Sequence, residues 1–357
     1  MAPIAAVGGV NPDFWAGKRV LLTGHTGFKG GWAAIWLSRM GARVTGLALP
    51  PDQQPSLFEL AGIGGRIGSR FADLRRPDQL ADAMAGDTFD LVLHMAAQPI
   101  VRTSVEDPIG TFETNVMGTA HLLQALRRQS ALQAVLVVTS DKVYANHETG
   151  AAFVEGDNLG GKDPYSASKA ATEIIVQSFA RSYFSGVPVG TARGGNVIGG
   201  GDFSRDRLVA DIVRAVGAGE AVTLRHPEAT RPWQHVLDCL AGYFRHIEAL
   251  ATDPATPRAL NFGPRPGGVQ VSVGDLATLG VAALNGRPWR HEPDPGSLEA
   301  RALAIDAGLA KRAIGFESRL DAPQAVALTM DWYRRQAAGE DAMSLCEAQI
   351  ADYESQP

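Results

Sequence analysis

The sequence predicts an α/β protein built on a doubly wound parallel sheet, with a smaller, partly interleaved C-terminal lobe for the substrate. Three observations carry this. Short apolar runs alternate with helical stretches through the first half of the chain, and a glycine-rich turn, Gly24-His25-Thr26-Gly27-Phe28-Lys29-Gly30, follows the first of them. From about Gly194 the texture changes to Gly- and Arg-rich loops, at 194–202 and 225–233, with helices between them.

Arg19 to Thr23 reads as a strand; the glycine turn follows, and Trp32 to Met40 continues as a helix closed by Gly41. Arg43 to Leu49 is the second strand. Further strands are expected at Ser69 to Ala72, Phe89 to His94, Gln133 to Thr139 and Val187 to Ala192, with helices at Gln79 to Met84, Ile109 to Arg128 and Pro164 to Phe184. Strand and helix in alternation give a Rossmann-like domain over residues 14–193, to which a helix at Val236 to Leu250 and a strand at Ala259 to Phe262 return. Residues 194–235 and 263–345 make the substrate lobe. The stretches 1–13 and 346–357 are expected as peripheral termini, the end after Gly339 being a short helix with a frayed tip.

The 357 residues are 45% hydrophobic, enough for a substantial core. A net charge of -5 with no basic run excludes a nucleic-acid footprint. Cys239 and Cys346 have neither the spacing of a metal site nor the number for a disulfide framework, which fits a reducing compartment. Met1 to Val10 lacks a positively charged start, and no segment approaches the length of a membrane span, so the protein is expected in the cytoplasm.

Glycines 24, 27 and 30 between strand and helix let helix amides approach a pyrophosphate, whose charge the helix dipole favours. The second strand ends Gly46-Leu47-Ala48-Leu49, without the usual ribose-binding acid and without an arginine for a 2′-phosphate, so NAD is expected over NADP. Asp73 is a candidate for the adenine edge, or else a turn-capping aspartate. His25 and Lys29 either lend charge to the phosphates or are ordinary loop residues.

Tyr165 and Lys169 lie four apart at a helix start, with Asp163 to cap it and Pro164 at its first position. A tyrosine hydroxyl of ordinary pKa, about 10, is a poor base until an ammonium favours the phenolate, and Lys169 is placed to do so. Thr139-Ser140-Asp141-Lys142 stands at the C-terminal end of the preceding strand, where open α/β sheets put their ligands. Ser140 is placed to bond the reacting oxygen, and Asp141 and Lys142 add an acid and a second amine. The set points to hydride chemistry with an elimination added.

The segments Gly24 to Gly31, His94-Met95-Ala96-Ala97-Gln98-Pro99, Thr114-Asn115-Val116-Met117-Gly118-Thr119, Thr139-Ser140-Asp141-Lys142, Asp163-Pro164-Tyr165-Ser166, 195–202 and Arg231-Pro232-Trp233-Gln234-His235-Val236 resemble those of the CDP-glucose 4,6-dehydratase family of extended short-chain dehydrogenase/reductases. The resemblance runs from about Phe14 to Tyr333. It implies tightly bound NAD contacted by the glycine turn (Gly24, His25, Thr26, Gly27, Phe28, Lys29, Gly30) and by Asp73, Leu74, Ala96, Ala97, Gln98, Asn115, Tyr165 and Lys169. It implies a nucleotide-sugar substrate, CDP-glucose first, contacted by Arg102, Ser104, Asn196, Arg207 and Arg231. In the implied cycle Tyr165 removes the proton of the sugar 4-hydroxyl while C4 gives up hydride, and Lys169 holds the phenolate and the nicotinamide ribose. Lys142 then takes the C5 proton or stabilises the enolate, Asp141 protonates the departing 6-hydroxyl, and hydride returns to C6.

Asp141 has to hold a proton when it acts, which calls for burial; Lys142, as base, has to shed one, which calls for desolvation beside Lys169. Arg193, at its strand end, either contacts the phosphates or braces the loop. Val143, Ala145, Ala170 and Phe203 depart from the family's usual cysteine, acid, glycine and tryptophan. The resemblance further implies a homodimer or dimer of dimers through the helices at 109–128 and 164–184, and a product destined for deoxysugars of surface glycans such as lipopolysaccharide O-antigen. An NDP-sugar 4-epimerase, a dehydratase of a dTDP-, UDP- or GDP-sugar, and a non-catalytic NAD(H) sensor are the competing readings. The first has no use for Asp141 as an acid, and a sensor has no need to keep the Tyr165-Lys169 pair.

Overall fold

The computed structural model describes residues 9–265, 270–294 and 301–356; Met1 to Gly8 of the expected N-terminal stretch lie outside them. β1 (Arg19–Thr23), β2 (Arg43–Ala48), β3 (Gly68–Phe71), β4 (Leu91–His94), β5 (Ala134–Val138) and β6 (Val189–Gly194) join a further strand, Ala259–Phe262, in one sheet. Its order is Ala259–Phe262, β6, β5, β4, β1, β2, β3, and every pairing is parallel. Strand order reverses between β1 and β4, and there the C-terminal strand ends open a crevice.

β5 reads as an unbroken apolar run, and β4 as one up to its final His94, because both faces are covered. Leu22, Leu93 and Leu136 pack under the helices Phe28–Arg39 and Val236–Thr252. Their neighbours Leu21, Val92 and Val135 face the helices Gly118–Leu126 and Pro164–Tyr183 on the other side. The two-residue alternation of a strand thus divides the core into two layers.

Three expectations are corrected. The helix expected from Trp32 starts at Phe28, four residues earlier, because Gly27 itself serves as its N-cap. The expected helix from Ile109 to Arg128 is Pro108–Phe112 and Gly118–Leu126 joined by a π turn, Glu113–Met117, which carries the buried Asn115. The C-terminus is neither short nor peripheral: after Ala322–Ala337 comes Ala342–Ser355, whose Leu345, Cys346, Ile350 and Tyr353 are buried. Tyr353 meets Trp36 edge to face and donates to Asp238 at 2.7 Å, and Trp36 Nε1 donates to Glu354 at 2.8 Å, fastening this helix to Phe28–Arg39. At the other end Trp15 is buried and donates to Glu248 Oε1 at 2.6 Å, so the residues before β1 are also tied down.

In the smaller lobe Asn196–Ile198 pairs in parallel with Trp233–His235, and Val271–Ser272 antiparallel with Thr230–Arg231. Among the described residues no helix is long and apolar enough to cross a membrane, and no group of His, Cys, Asp and Glu is placed to hold a metal ion.

Candidate active site

The glycine turn closes on itself. Gly24 has φ +80°, and a Cβ there would stand 2.8 Å from the Ala96 amide nitrogen; a Cβ on Gly30 would stand 2.0 Å from the Gly24 carbonyl oxygen. Only glycine allows this approach. Gly27 caps the helix without a side-chain bond, so first-turn amides face the crevice uncapped. That cradle fits a dinucleotide pyrophosphate.

Around it the side chains sort themselves. His25 is buried, stacked near Phe71 and edge-on to Phe58, its Nε2 2.7 Å from Ser69 Oγ, and its ring occupies the space that a side chain on Gly46 would need. Burial pulls it down to about 4, so it is neutral and lends no charge to phosphates, a correction to that expectation. Thr26 Oγ1 donates to the Leu49 carbonyl at 2.9 Å. Lys29 turns inward, with Nζ 5.7 Å from the Tyr243 ring centre. Asp73 accepts from the Arg75 backbone and guanidinium at 2.7 to 3.0 Å, which holds its carboxyl below the usual range; it caps its own turn. Leu74 is buried, and its carbonyl lies 3.0 Å from His121 Nδ1.

Thr23 Oγ1 receives the amides of Met95 and Ala96, each at 3.1 Å, which sets the loop through Ala97 beside β1. Gln98 and Asn115, implied cofactor contacts, bond each other: the Gln98 backbone N–H donates to Asn115 Oδ1 at 2.8 Å, and Asn115 Nδ2 donates to the Gln98 backbone carbonyl and to Ser168 Oγ. They hold this loop against the helix Pro164–Tyr183. Ser104, implied for the substrate, is likewise turned inward. Its Oγ donates to the Val101 carbonyl and accepts the Tyr165 amide at 3.1 Å.

The helix carrying Tyr165 starts as its sequence demands: Asp163 accepts the Ser166 amide at 2.9 Å and Pro164 stands at the first turn. On the opposite wall β5 delivers Ser140 and Asp141, both buried. Ser140 Oγ donates to Asp141 Oδ1 at 2.8 Å and accepts the Lys142 amide at 3.2 Å. Lys142 Nζ lies 3.3 Å from the same Oδ1 and 3.4 Å from Asn196 Oδ1, while Asp141 Oδ2 is buried without a partner. Lys142 is a quarter exposed, held between Asp141 and Asn196, and so lacks the full desolvation expected for it.

Burial pushes the Tyr165 hydroxyl up; a hydrogen bond with Ser140 and the Arg207 charge act in the opposite direction. Lys169 donates to the Val138 carbonyl at 3.2 Å and is itself pulled down to about 7, by burial first and Lys29 second, with Glu173 opposing. The groups that favour the phenolate here are Ser140 and Arg207.

Of the implied substrate contacts, Asn196 and Arg207 reach this centre, and Arg207 also donates to the Pro99 carbonyl at 3.2 Å. Arg102 pairs with Asp206 at 3.2 Å on the surface, and Arg231 is buried with Nη1 on the Thr230 carbonyl at 2.8 Å. Arg193 braces rather than binds: Nε and Nη2 fork onto Glu173, a residue the sequence reading passed over. Its signal was its place four residues after Lys169, on the same helix face.

A reversing parallel sheet, a glycine cradle beside its switch point, and a buried tyrosine and lysine facing an acid across the next strand end together define a dinucleotide-dependent enzyme of the oxidoreductase type. More particularly, the chain belongs to the NAD dependent epimerase/dehydratase family, whose pattern matches residues 20–263. It is 38% identical to the CDP-glucose 4,6-dehydratase of Salmonella typhimurium, over 97% of this chain and 99% of that one. It is 29% identical to a dTDP-glucose 4,6-dehydratase of Xanthomonas campestris, over 88% and 92% of the two chains. Among solved structures, the Thermus thermophilus UDP-glucose 4-epimerase complex with NAD superimposes with a TM-score of 0.74 at 26% identity, covering 88% of this chain and 99% of that one.

Proposed function

We propose that this chain dehydrates CDP-glucose to CDP-4-dehydro-6-deoxyglucose with NAD as its cofactor. The observation that carries the reading is Asp141: a buried carboxylate held by Ser140 and Lys142, one oxygen unpartnered, at the strand end opposite Tyr165. A 4-epimerase has no group to protonate at C6 and no use for such an acid. The identity to a CDP-glucose 4,6-dehydratase along nearly the whole chain supports both the reaction and the base.

NAD, when bound, accepts hydride from C4 and returns it to C6. Tyr165 takes the 4-hydroxyl proton, with Ser140 against it and Arg207 favouring the anion. The 4-ketone so formed acidifies the C5 hydrogen. Lys142 and Asp141 start as an ion pair, and one proton passed across their 3.3 Å contact turns them into a free amine and a carboxylic acid. The amine takes the C5 proton and the acid protonates the departing 6-hydroxyl, so base and acid arise together; once C6 is reduced, the Lys142 ammonium, its protons exchanged with solvent, gives one back to C5. A sugar covering the pair removes water and favours the neutral form. In the alternative the ammonium stays charged and stabilises the enolate.

We infer assembly as a homodimer or dimer of dimers. Ile109 and Ile174 are 68% and 59% exposed, and Met117, in the π turn after the helix of Ile109, and Tyr183, at the end of the helix of Ile174, also stand out. Apolar groups of this size left open on neighbouring helices suit a second copy of the chain.

Separate incubation of the NAD-loaded protein with CDP-, dTDP-, UDP- and GDP-glucose tests the substrate. Loss of one water from CDP-glucose, with the others slower by at least about ten-fold, is expected; dehydration of another base in preference overturns the assignment.

A further inference from the structure

Beneath the site lies a buried ionic network that none of the reacting steps uses. Glu173, four residues beyond Lys169, is fully buried, and Arg193 of β6 forks onto it, Nε to Oε1 at 3.1 Å and Nη2 to Oε2 at 2.8 Å. The same oxygens accept Thr139 Oγ1 at 2.6 Å and Thr191 Oγ1 at 2.9 Å. Arg193 Nη1 donates to the Tyr144 hydroxyl and the Glu155 carbonyl, both at 3.0 Å, and Tyr144 donates to Asn261 Oδ1 at 2.6 Å. Thr139 immediately precedes Ser140, and Tyr144 follows Lys142 by two. The network therefore grips both ends of the loop that carries Ser140, Asp141 and Lys142. Glu173 is also part of the helix that carries Tyr165 and Lys169.

Stability alone is a poor reason for such a network, since well-packed apolar residues commonly replace a buried ion pair without loss. Two walls of one active site are joined here by a bidentate, fully bonded pair, a geometry with a single register. We propose that Glu173, acting with Arg193, is a positioning residue: it locks the 139–144 loop to the Tyr165–Lys169 helix and sets a fixed negative charge one turn from the Lys169 ammonium.

The charged and titratable groups facing Lys169 are Lys29 from the helix Phe28–Arg39, His94 from β4, and Tyr165 and Glu173, one turn to either side on its own helix. Burial and Lys29 pull Lys169 down and Glu173 holds it up, while His94 is kept neutral by burial, which draws it down to about 3. Removing the Glu173 charge must move the Lys169 titration further toward acid.

The turnover part of the test rests on the dehydratase reading; the binding part needs only the NAD site. Two variants, Glu173→Gln and the doubly apolar Glu173→Leu/Arg193→Met, are compared with the parent by NADH fluorescence titration between about pH 5 and pH 9 and by CDP-glucose turnover. In Glu173→Gln the Lys169 limb of NADH binding is expected to shift by about one unit toward acid, in the double variant, which loses the Arg193 charge as well, by a smaller amount in the same direction, and in both kcat is expected to fall about ten- to hundred-fold with KM within about two-fold. The double variant has no unpaired charge and keeps the measurement open if Glu173→Gln does not fold. An unmoved limb in a folded variant overturns the proposal, whether or not kcat falls, because a merely structural brace would lower kcat and leave the limb in place. A limb that shifts in the variants while the parent protein does not turn over CDP-glucose sinks the dehydratase reading and leaves the positioning role standing.

Discussion

At the scale of single residues, the site works by setting unlike environments a few ångströms apart. Tyr165 is raised by burial while Ser140 and Arg207 work against that rise, so Arg207 matters to chemistry as well as to any phosphate. Arg207→Met removes a charge that favours the phenolate. Its alkaline shift follows: the ascending limb of the kcat–pH profile moves to higher pH and kcat at neutral pH falls several-fold, about five, with NADH affinity retained. Asp141→Asn leaves an acceptor for Ser140 and Lys142 but no proton to give. On mixing with CDP-glucose it is expected to accumulate the near-ultraviolet absorbance of NADH with no loss of water by mass, while parent-like turnover would remove Asp141 as the acid. Tyr165, Lys169, Ser140 and Asp141 were legible in the sequence because helix spacing and a strand end fix where such side chains go. Gln98, Asn115 and Ser104 were not, since a motif names a residue without saying which way it turns. All three turn inward to bonds between loops and helices.

Elements carry the next level of constraint. The turn between β1 and the helix Phe28–Arg39 depends on Gly30, whose Cβ would collide with the Gly24 carbonyl oxygen. Gly30→Ala is expected to weaken NAD binding at least about a hundred-fold, by calorimetry on folded protein; unchanged affinity would mean that the cradle lies elsewhere. The residues before β1 are held by Glu248, which receives Trp15 and the Asn11 amide and is pushed up to about 7, by burial. A carboxyl raised in the fold favours its protonated form there. Its stabilising contribution is therefore full below the ordinary carboxyl range and is lost as pH rises through about 7. Tm should fall over that interval, and Glu248→Gln should flatten the slope; a slope unchanged in the variant would assign it to another group. The sheet strands were readable from their apolar runs; a helix after Gly339 was also expected, but the length and burial of Ala342–Ser355 were not. Its buried residues touch the helix Phe28–Arg39 on one side and Asp238 on another, so no single apolar stripe marks it.

For the whole molecule, parallel order and the switch point follow from alternating strands and helices, and family membership accords with them. How the lobes interleave was only partly legible. Ala259–Phe262 pairs with β6, whereas the C-terminal helix, expected at the periphery, packs against the dinucleotide-binding half, and both are matters of distant packing. If Ile109 and Ile174 lie between copies, Ile109→Glu/Ile174→Glu should shift the sedimenting species to monomer without unfolding it; an unshifted assembly would place the interface on another face. The central claim is that oxidation at C4, elimination and reduction at C6 occur in one site on one sugar. CDP-glucose carrying deuterium at C4 tests it most directly. The product should have lost one water and carry the deuterium in its C6 methyl group, with solvent hydrogen at C5. Deuterium found back at C4 of an intact hexose, its configuration inverted, would contradict the account and make the chain an epimerase.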